Sequence, residues 1–266
     1  MTVQIAIIGA GVMGETLLTA LLRSGRPVDE IVICEKRAEQ AAVLRAKHGV
    51  AVLDNVDAAQ QARTIVIVVK PQDMAAVLAE IGPVIGKGST VMSLAAGIHI
   101  DVIEDTVAAD VAVIRVMPNT PALVGEGMFG MSPGKACSDE QLTAAKKLLE
   151  TSGKVVIVPE ELQDAVTGLS GSGPAYIFYL AESMIAGGIA AGLPETTAGE
   201  LAIQTIVGAA KMLSESDATP AVLRERVTSP NGTTAAALSV LDTHDVKGAI
   251  KAAIIAASDR SAELST

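Results

Sequence analysis

Residues 5–14, Ile5-Ala6-Ile7-Ile8-Gly9-Ala10-Gly11-Val12-Met13-Gly14, constrain this chain more than any other stretch. Four apolar residues in a row read as a buried strand. The leucines of Glu15-Thr16-Leu17-Leu18-Thr19-Ala20-Leu21-Leu22 then fall at helical intervals. Between the two lie three glycines at G-x-G-x-x-G spacing. In a dinucleotide site each serves a physical purpose. Gly9 permits the tight turn, Gly11 lets backbone N–H groups approach a pyrophosphate, and Gly14 lets helix and strand pack closely. The helix N-terminus turns its positive end toward the phosphates. The competing reading is a plain strand–turn–helix whose small residues serve packing alone.

The strand–helix alternation repeats downstream. Strand-like runs recur at Ile31–Glu35, Val50–Leu53, Thr64–Val69, Val91–Gly97 and Val111–Met117, with helical patterns between them. Thr64–Val69 is too apolar for anything but a sheet covered on both faces. Gly127–Met131 and Lys154–Val158 are expected as edge strands flanking a helix over 138–151. The chain is therefore read as α/β, with an N-terminal Rossmann-type, doubly wound, mainly parallel sheet over residues 1–158. Beyond Pro159 the strand signal stops, and residues 159–266 read as an all-helical domain. At 266 residues the chain has room for both.

One helical segment stands apart. Ala175–Leu193 is apolar nearly all round, and three of the chain's four aromatics (Tyr176, Phe178, Tyr179) open it. Its length approaches a membrane span, but Glu182 near its middle, the Gly187-Gly188 pair and the lack of basic flanks oppose that reading. A helix without a polar face must be buried on every side. Burial against a second subunit is the expectation, and no membrane.

Charge and cysteine content exclude further classes. A net charge of −10 without a basic cluster argues against nucleic acid as a partner. The two cysteines, Cys34 and Cys137, have neither metal nor redox spacing, and Cys34 reads as an inert buried thiol. His48, His99 and His244 are scattered beside exposed-looking helix residues, so neither a metal site nor a histidine-based catalytic group is expected. No signal peptide precedes the first strand in this reading, and a cytoplasmic protein is expected.

Several residues could meet a ligand. Glu35 lies 21 residues beyond Gly14, where a dinucleotide fold faces the adenosine ribose. An acid there suits the hydroxyls of NAD, whereas Lys36 and Arg37 suit the 2′-phosphate of NADP, so both signals are present. Lys70-Pro71 ends one central strand and Ala95-Ala96-Gly97 follows another, at positions where ligands bind in such sheets. Far downstream, Ser229-Pro230-Asn231-Gly232-Thr233-Thr234 enters a helix over 235–242. Asn231 and Gly232 tolerate left-handed backbone, Thr233 or Thr234 could cap the helix, and its first N–H groups could accept a carboxylate. The alternative is an ordinary capping turn.

Taken together, Gly9–Gly14, Ala95-Ala96-Gly97, Met117-Pro118-Asn119-Thr120-Pro121, Asp164–Tyr176 and Ser229–Thr234 resemble the pyrroline-5-carboxylate reductases over nearly the whole chain. The resemblance implies NADPH-dependent reduction, with NADH as a possible alternative, of 1-pyrroline-5-carboxylate to L-proline. It also implies a homo-oligomer, a dimer or a decamer of five dimers, intertwined through the helical domain. Ser229 and the N–H groups of Gly232, Thr233 and Thr234 would hold the substrate carboxylate, and the Thr234 hydroxyl would meet the ring nitrogen. Gly9, Ala10, Gly11, Val12, Met13 and Gly14 would hold the pyrophosphate, with Glu35, Lys36, Arg37 and Asn55 near the adenosine. Val69, Lys70, Pro71, Ala95, Ala96 and Gly97 would border the ribose and nicotinamide. Two residues depart from the family pattern: Asn231 replaces the first glycine of Pro-Gly-Gly, and Glu35 replaces a small polar residue. Weaker readings remain: a reductase or dehydrogenase of another small imine or 3-hydroxy acid, against which residues 159–182 lack lysine, or a non-enzymatic NAD(P)-binding regulator.

Overall fold

The structure, a computed structural model, describes residues 3–265. The chain packs as two compact units, one running to Ser172 and resuming at Ala257, the other spanning Gly173–Ala256.

The first unit is built on eight strands: β1 (Ile5–Ile8), β2 (Ile31–Cys34), β3 (Ala51–Val52), β4 (Thr64–Ile67), β5 (Thr90–Ser93), β6 (Ala112–Met117), β7 (Gly127–Pro133) and β8 (Gly153–Ile157). Their order across the sheet is β3-β2-β1-β4-β5-β6-β7-β8, and the only antiparallel pair among the described residues is β6–β7. Among the described residues, six α-helices fall between successive strands: α1 (Val12–Arg23), α2 (Ala38–His48), α3 (Asn55–Gln61), α4 (Pro71–Ile81), α5 (Ile100–Glu104) and α6 (Asp139–Leu149). A short α7 (Gln163–Val166) and a π-helical turn at Thr167–Gly171 come after them.

Strand periodicity divides the core into two layers. On one face Ile5, Ile7, Ile31, Ile33, Met92, Ile114 and Phe129 pack with Leu17, Leu18 and Leu21 of α1 and Leu148 and Leu149 of α6. On the other, Ala6, Ile8, Val32, Ile65, Ile67, Val91 and Val113 meet Ala58, Ala59, Met74, Leu78, Ile81 and Ile103 of α3, α4 and α5. This double coverage explains why the central strands lack polar alternation. Cys34 belongs to the second layer, and burial pushes its thiol pKa up to about 12, which leaves it chemically inert.

One sequence expectation needs correction here. β7 is not an edge strand: it lies between β6 and β8, and β8 forms the rim on that side of the sheet. Residues 118–126 between β6 and β7 are too few for the crossover that a parallel return demands, so the chain reverses through a 3-10 turn at Thr120–Val124. The His48 side chain is buried at the end of α2, with Nε2 3.3 Å from Glu15 Oε1.

The second unit is helical: α8 (Gly173–Ala190), α9 (Glu195–Glu215), α10 (Pro220–Arg226), α11 (Thr233–Thr243) and the start of α12 (Val246–Leu264). Gly188 brings α8 against α9, since a Cβ there would stand 3.1 Å from Ala198 Cβ. No residue of α8 is buried, and Phe178 and Tyr179 remain 63% and 73% exposed. Among the described residues, no helix is long and apolar enough to cross a membrane.

Phe129, one of two phenylalanines, lies wholly buried where β7 meets α1 and α6. Phe129→Ala should cost about 3–5 kcal/mol of unfolding free energy, measured by urea denaturation. A loss below about 1 kcal/mol would contradict this placement.

Candidate functional site

β2, β1, β4 and β5 are parallel neighbours, so their carboxyl ends lie along one edge of the sheet. The strand order reverses between β1 and β4, and a crevice at such a point is where open α/β sheets bind ligands. The segments expected from sequence to meet a cofactor all leave from this edge.

The glycine turn follows β1. Gly9 has φ +94°, and a Cβ there would approach Val68 O at 2.9 Å. Its N–H continues the ladder by donating to Cys34 O at 3.0 Å. A Cβ on Gly14 would strike the Gly9 carbonyl, so only glycine allows α1 to begin so close to the strand end. Gly11 has open space around its Cα and is the N-cap of α1, with no side chain closing the helix start. The first intrahelical bond runs from Glu15 N–H to Gly11 O, which leaves the N–H groups of Val12, Met13 and Gly14 without an acceptor among the described residues. A cradle that a Cβ would fill, together with open donors at a helix N-terminus, fits a pyrophosphate.

Glu35, Lys36 and Arg37 follow β2. The Arg37 guanidinium grips the Glu35 carboxylate with two bonds, Nε to Oε1 at 3.0 Å and Nη2 to Oε2 at 3.1 Å. The Arg37 backbone N–H also donates to Oε1, at 2.9 Å. Arg37 thereby holds the Glu35 carboxyl below the usual carboxylate range. The carboxylate is almost enclosed at 6% exposure, whereas Arg37 is 61% exposed, so its Nη1 edge faces outward. Lys36 Nζ lies 3.6 Å from Asp73 Oδ1 on α4. Asn55, the first residue of α3, donates from Nδ2 to Glu80 Oε2 at 2.8 Å.

β4 ends at Ile67, earlier than the apolar run to Val69 suggested, because Val68 and Val69 already belong to the crossover. Lys70 is the N-cap of α4, and Pro71 takes the first helical position, which has no use for an N–H. After β5, Ala95 N–H donates to Ser93 Oγ at 3.4 Å, and Gly97 turns the chain with φ +75°.

The Ser229–Thr234 turn belongs to the second unit. Asn231 has φ +58°, a left-handed conformation that asparagine tolerates. Gly232 does not share it. Its φ is −82°, and it is the N-cap of α11, so neither Thr233 nor Thr234 caps the helix as the sequence suggested. A Cβ at Gly232 would meet Ser229 Oγ, which would have to turn away. Gly232 N–H donates to Ser229 O, and Ala236 N–H is the first to bond back into the turn, at Gly232 O. Thr233, Thr234 and Ala235 are left with open N–H groups among the described residues, beside the exposed Ser229 and the half-buried Thr234. With no side-chain cap, this helix start can accept a carboxylate.

Sequence reasoning assigned no role to several polar side chains of the first unit. Asn119 accepts Met128 N–H at 2.8 Å and donates to Ser170 O at 3.2 Å, tying the loop after β6 to the π-helical turn. Arg115, on an otherwise apolar strand, is 4% exposed and bonds Glu160 Oε1 at 3.1 Å. Asp164 of α7 accepts from Ser261 Oγ at 2.7 Å, which fastens the last turns of α12. An arginine inside an apolar run was the one available signal for the second of these.

Comparison with known proteins agrees with both halves of this description. A family model for pyrroline-5-carboxylate reductase dimerisation matches residues 160–264, and one for coenzyme F420-dependent NADP oxidoreductase matches residues 4–97. A pyrroline-5-carboxylate reductase of Corynebacterium melassecola is 41% identical over 264 residues, covering 98% of each chain. The solved structure of a pyrroline-5-carboxylate reductase from Coxiella burnetii superposes with a TM-score of 0.96 at 32% identity and covers 100% of each chain. That of Plasmodium falciparum pyrroline carboxylate reductase with NADP bound gives a TM-score of 0.87 at 27% identity, covering 99% of this chain and 98% of the other. With its glycine cradle, its uncapped α11 and this likeness along its full length, the chain belongs to the pyrroline-5-carboxylate reductase family.

Proposed function

We propose that the protein reduces 1-pyrroline-5-carboxylate to L-proline, with NADPH as its main nucleotide and NADH as a poorer one. The observation that carries this reading is the Ser229–Thr234 turn. Asn231 takes up the left-handed strain, Gly232 leaves the helix start uncapped, and three open N–H groups stand beside two hydroxyls. The substrate carboxylate would rest on the N–H groups of Gly232, Thr233 and Thr234 and on Ser229 Oγ. Because Gly232 N–H already donates to Ser229 O, that of Ala235 is the better third donor. The Thr234 hydroxyl would meet the imine nitrogen and steady the nitrogen lone pair as it forms. A bound reduced nicotinamide supplies the hydride. The protonated imine is already electrophilic, so positioning outweighs acid–base catalysis, which accords with a site without histidine.

In the first unit, Gly9–Gly14 would receive the pyrophosphate on the open N–H groups of α1. Val69, Lys70, Pro71, Ala95, Ala96 and Gly97 would border the ribose and nicotinamide. Arg37 favours NADPH: Glu35 holds its inner edge, and the outward Nη1 donors remain free for a 2′-phosphate. Glu35 nonetheless places a negative charge near that phosphate, so it both orients Arg37 and opposes NADPH. Asn55, already committed to Glu80, would border the adenine.

By function we assign residues 1–158 to the cofactor and residues 159–266 to substrate binding and dimerisation. The apolar residues of α8, α9, α11 and α12 that stand exposed, among them Phe178, Tyr179, Leu201, Leu241 and Ile255, support a homo-oligomer in which a partner subunit covers them. A dimer is the smallest assembly that does this, and a decamer of such dimers is the larger candidate. A cytoplasmic location accords with both the substrate and the nucleotide.

Purified protein should consume NADPH when 1-pyrroline-5-carboxylate is added, seen as loss of nicotinamide absorbance; no consumption with either nucleotide would overturn the assignment. Ser229→Ala should raise the KM for the imine about tenfold while the nucleotide KM stays within about twofold. Thr234→Ala should lower kcat by at least about tenfold, and full activity in that variant would remove the hydroxyl from the mechanism. Arg37→Ala should lower the NADPH-to-NADH ratio of kcat/KM about tenfold, and Glu35→Gln should raise it. Shifts in the same direction would contradict the proposed opposition.

A further inference from the structure

The segment Leu94–His99, which joins β5 to α5, is restrained at both ends by a polar cluster set into the sheet. Ser93, Arg115 and Ser132 stand side by side on β5, β6 and β7, in one register row. All three are buried, at 0%, 4% and 0% exposure. A guanidinium at that depth costs desolvation free energy, which is offset only where its partners are well placed. Its partner comes from 45 residues further on: Arg115 Nη1 donates to Glu160 Oε1 at 3.1 Å. The same oxygen accepts the backbone N–H of Ile100, the first residue of α5, at 2.8 Å. At the other end of the segment, Leu94 N–H donates to Ile67 O at 2.9 Å and Ala95 N–H to Ser93 Oγ. Gly97 lies at the crest with φ +75°, and a Cβ there would approach Leu264 O at 3.2 Å. The C-terminal residues that press on it are held in turn by Ser261 and Ser265, whose hydroxyls donate to Asp164 Oδ1.

The geometry points to Arg115 and Glu160 as positioning residues for the turn Ala95–Gly97. The buried guanidinium fixes the Glu160 carboxylate, the carboxylate anchors the start of α5, and the turn between the two anchors keeps one shape against the nicotinamide end of the cofactor. This rests on the reading above, in which that turn borders the nicotinamide. A pair kept only for stability would be a poor choice here, because an apolar pair of similar volume would serve the layer at least as well. His99 Nδ1 lies 3.7 Å from Glu160 Oε1 and closes the cluster on its exposed side.

The test compares NADPH with 2′-phosphoadenosine diphosphoribose, which lacks the nicotinamide, as ligands of the intact protein. The double variant Arg115→Met/Glu160→Ala removes both charges together and leaves no buried cation unpaired. It should bind NADPH about tenfold more weakly and lose at least about tenfold in kcat, while the fragment binds within about twofold of wild type. Glu160→Gln keeps an oxygen for Ile100 N–H and should restore NADPH binding to within about threefold of wild type. Ile100→Pro keeps both charges and removes the donor, along with the buried isoleucine side chain, at a helix position that accepts proline, and should reproduce the selective loss if the double variant fails to fold. Wild-type affinity for NADPH in the folded double variant or in Ile100→Pro, or equal weakening of NADPH and the fragment in either, would overturn the inference. Failure of the wild-type protein to bind either ligand would instead overturn the cofactor reading beneath it.

Discussion

The close contact between Gly14 and the carbonyl of Gly9 is the constraint on which the rest of the first unit depends. Because no Cβ intervenes, α1 starts directly against the end of β1 and cannot drift along it. That places the open N–H groups of Val12, Met13 and Gly14 at the carboxyl edge of the sheet. The parallel pairing of β2, β1, β4 and β5 brings the other segments proposed to face the cofactor to the same edge. Two apolar layers hold this geometry rigid, and neither layer needs aromatic bulk beyond Phe129.

The same device recurs at α11. Both Gly11 and Gly232 are N-caps without a side chain, so each helix presents donors that a serine or aspartate cap would have occupied. Three other helices are capped by side chains: Asp54 closes α3, Ser138 forms a capping box on α6, and Thr219 closes α10, whereas α2, α4 and α9 start at Arg37, Lys70 and Pro194 without a cap bond. α1 and α11 differ from these in having glycine as the N-cap, which leaves room at the helix start for an anion. The three glycines Gly9, Gly14 and Gly232 serve this end in two ways, by a left-handed turn at Gly9 and by close approach at Gly14 and Gly232.

Much of this was legible in the sequence because its physical basis is local. A strand covered on both faces needs a largely apolar run, and Ile31–Cys34 and Thr64–Ile67 fall within such runs, while Thr90–Ser93 starts one residue before its own. The glycine turn and the Asn231 turn carry steric signals that depend on a few neighbouring residues. What escaped was set by partners distant in sequence or by chain length between strands. β7 looked like a rim because its glycines and methionines lack a strong strand pattern, yet the short connection from β6 forces it inward. The Glu35–Arg37 chelate depends on backbone direction after β2, so the sequence showed an acid and a base but not that they bind each other. Arg115 and Glu160 lie 45 residues apart, and nothing local to either residue announces the pair.

The central claim is that an uncapped helix start binds the carboxylate of the substrate and product. Isothermal calorimetry of the oxidised-nucleotide complex with L-proline and with L-prolinamide tests it directly, since the two differ only in the group that would rest on Thr233, Thr234 and Ala235. L-proline should bind at least about tenfold more tightly than the amide, the difference expected when charge-assisted hydrogen bonds to a carboxylate are lost. Equal affinity for the two would contradict the account.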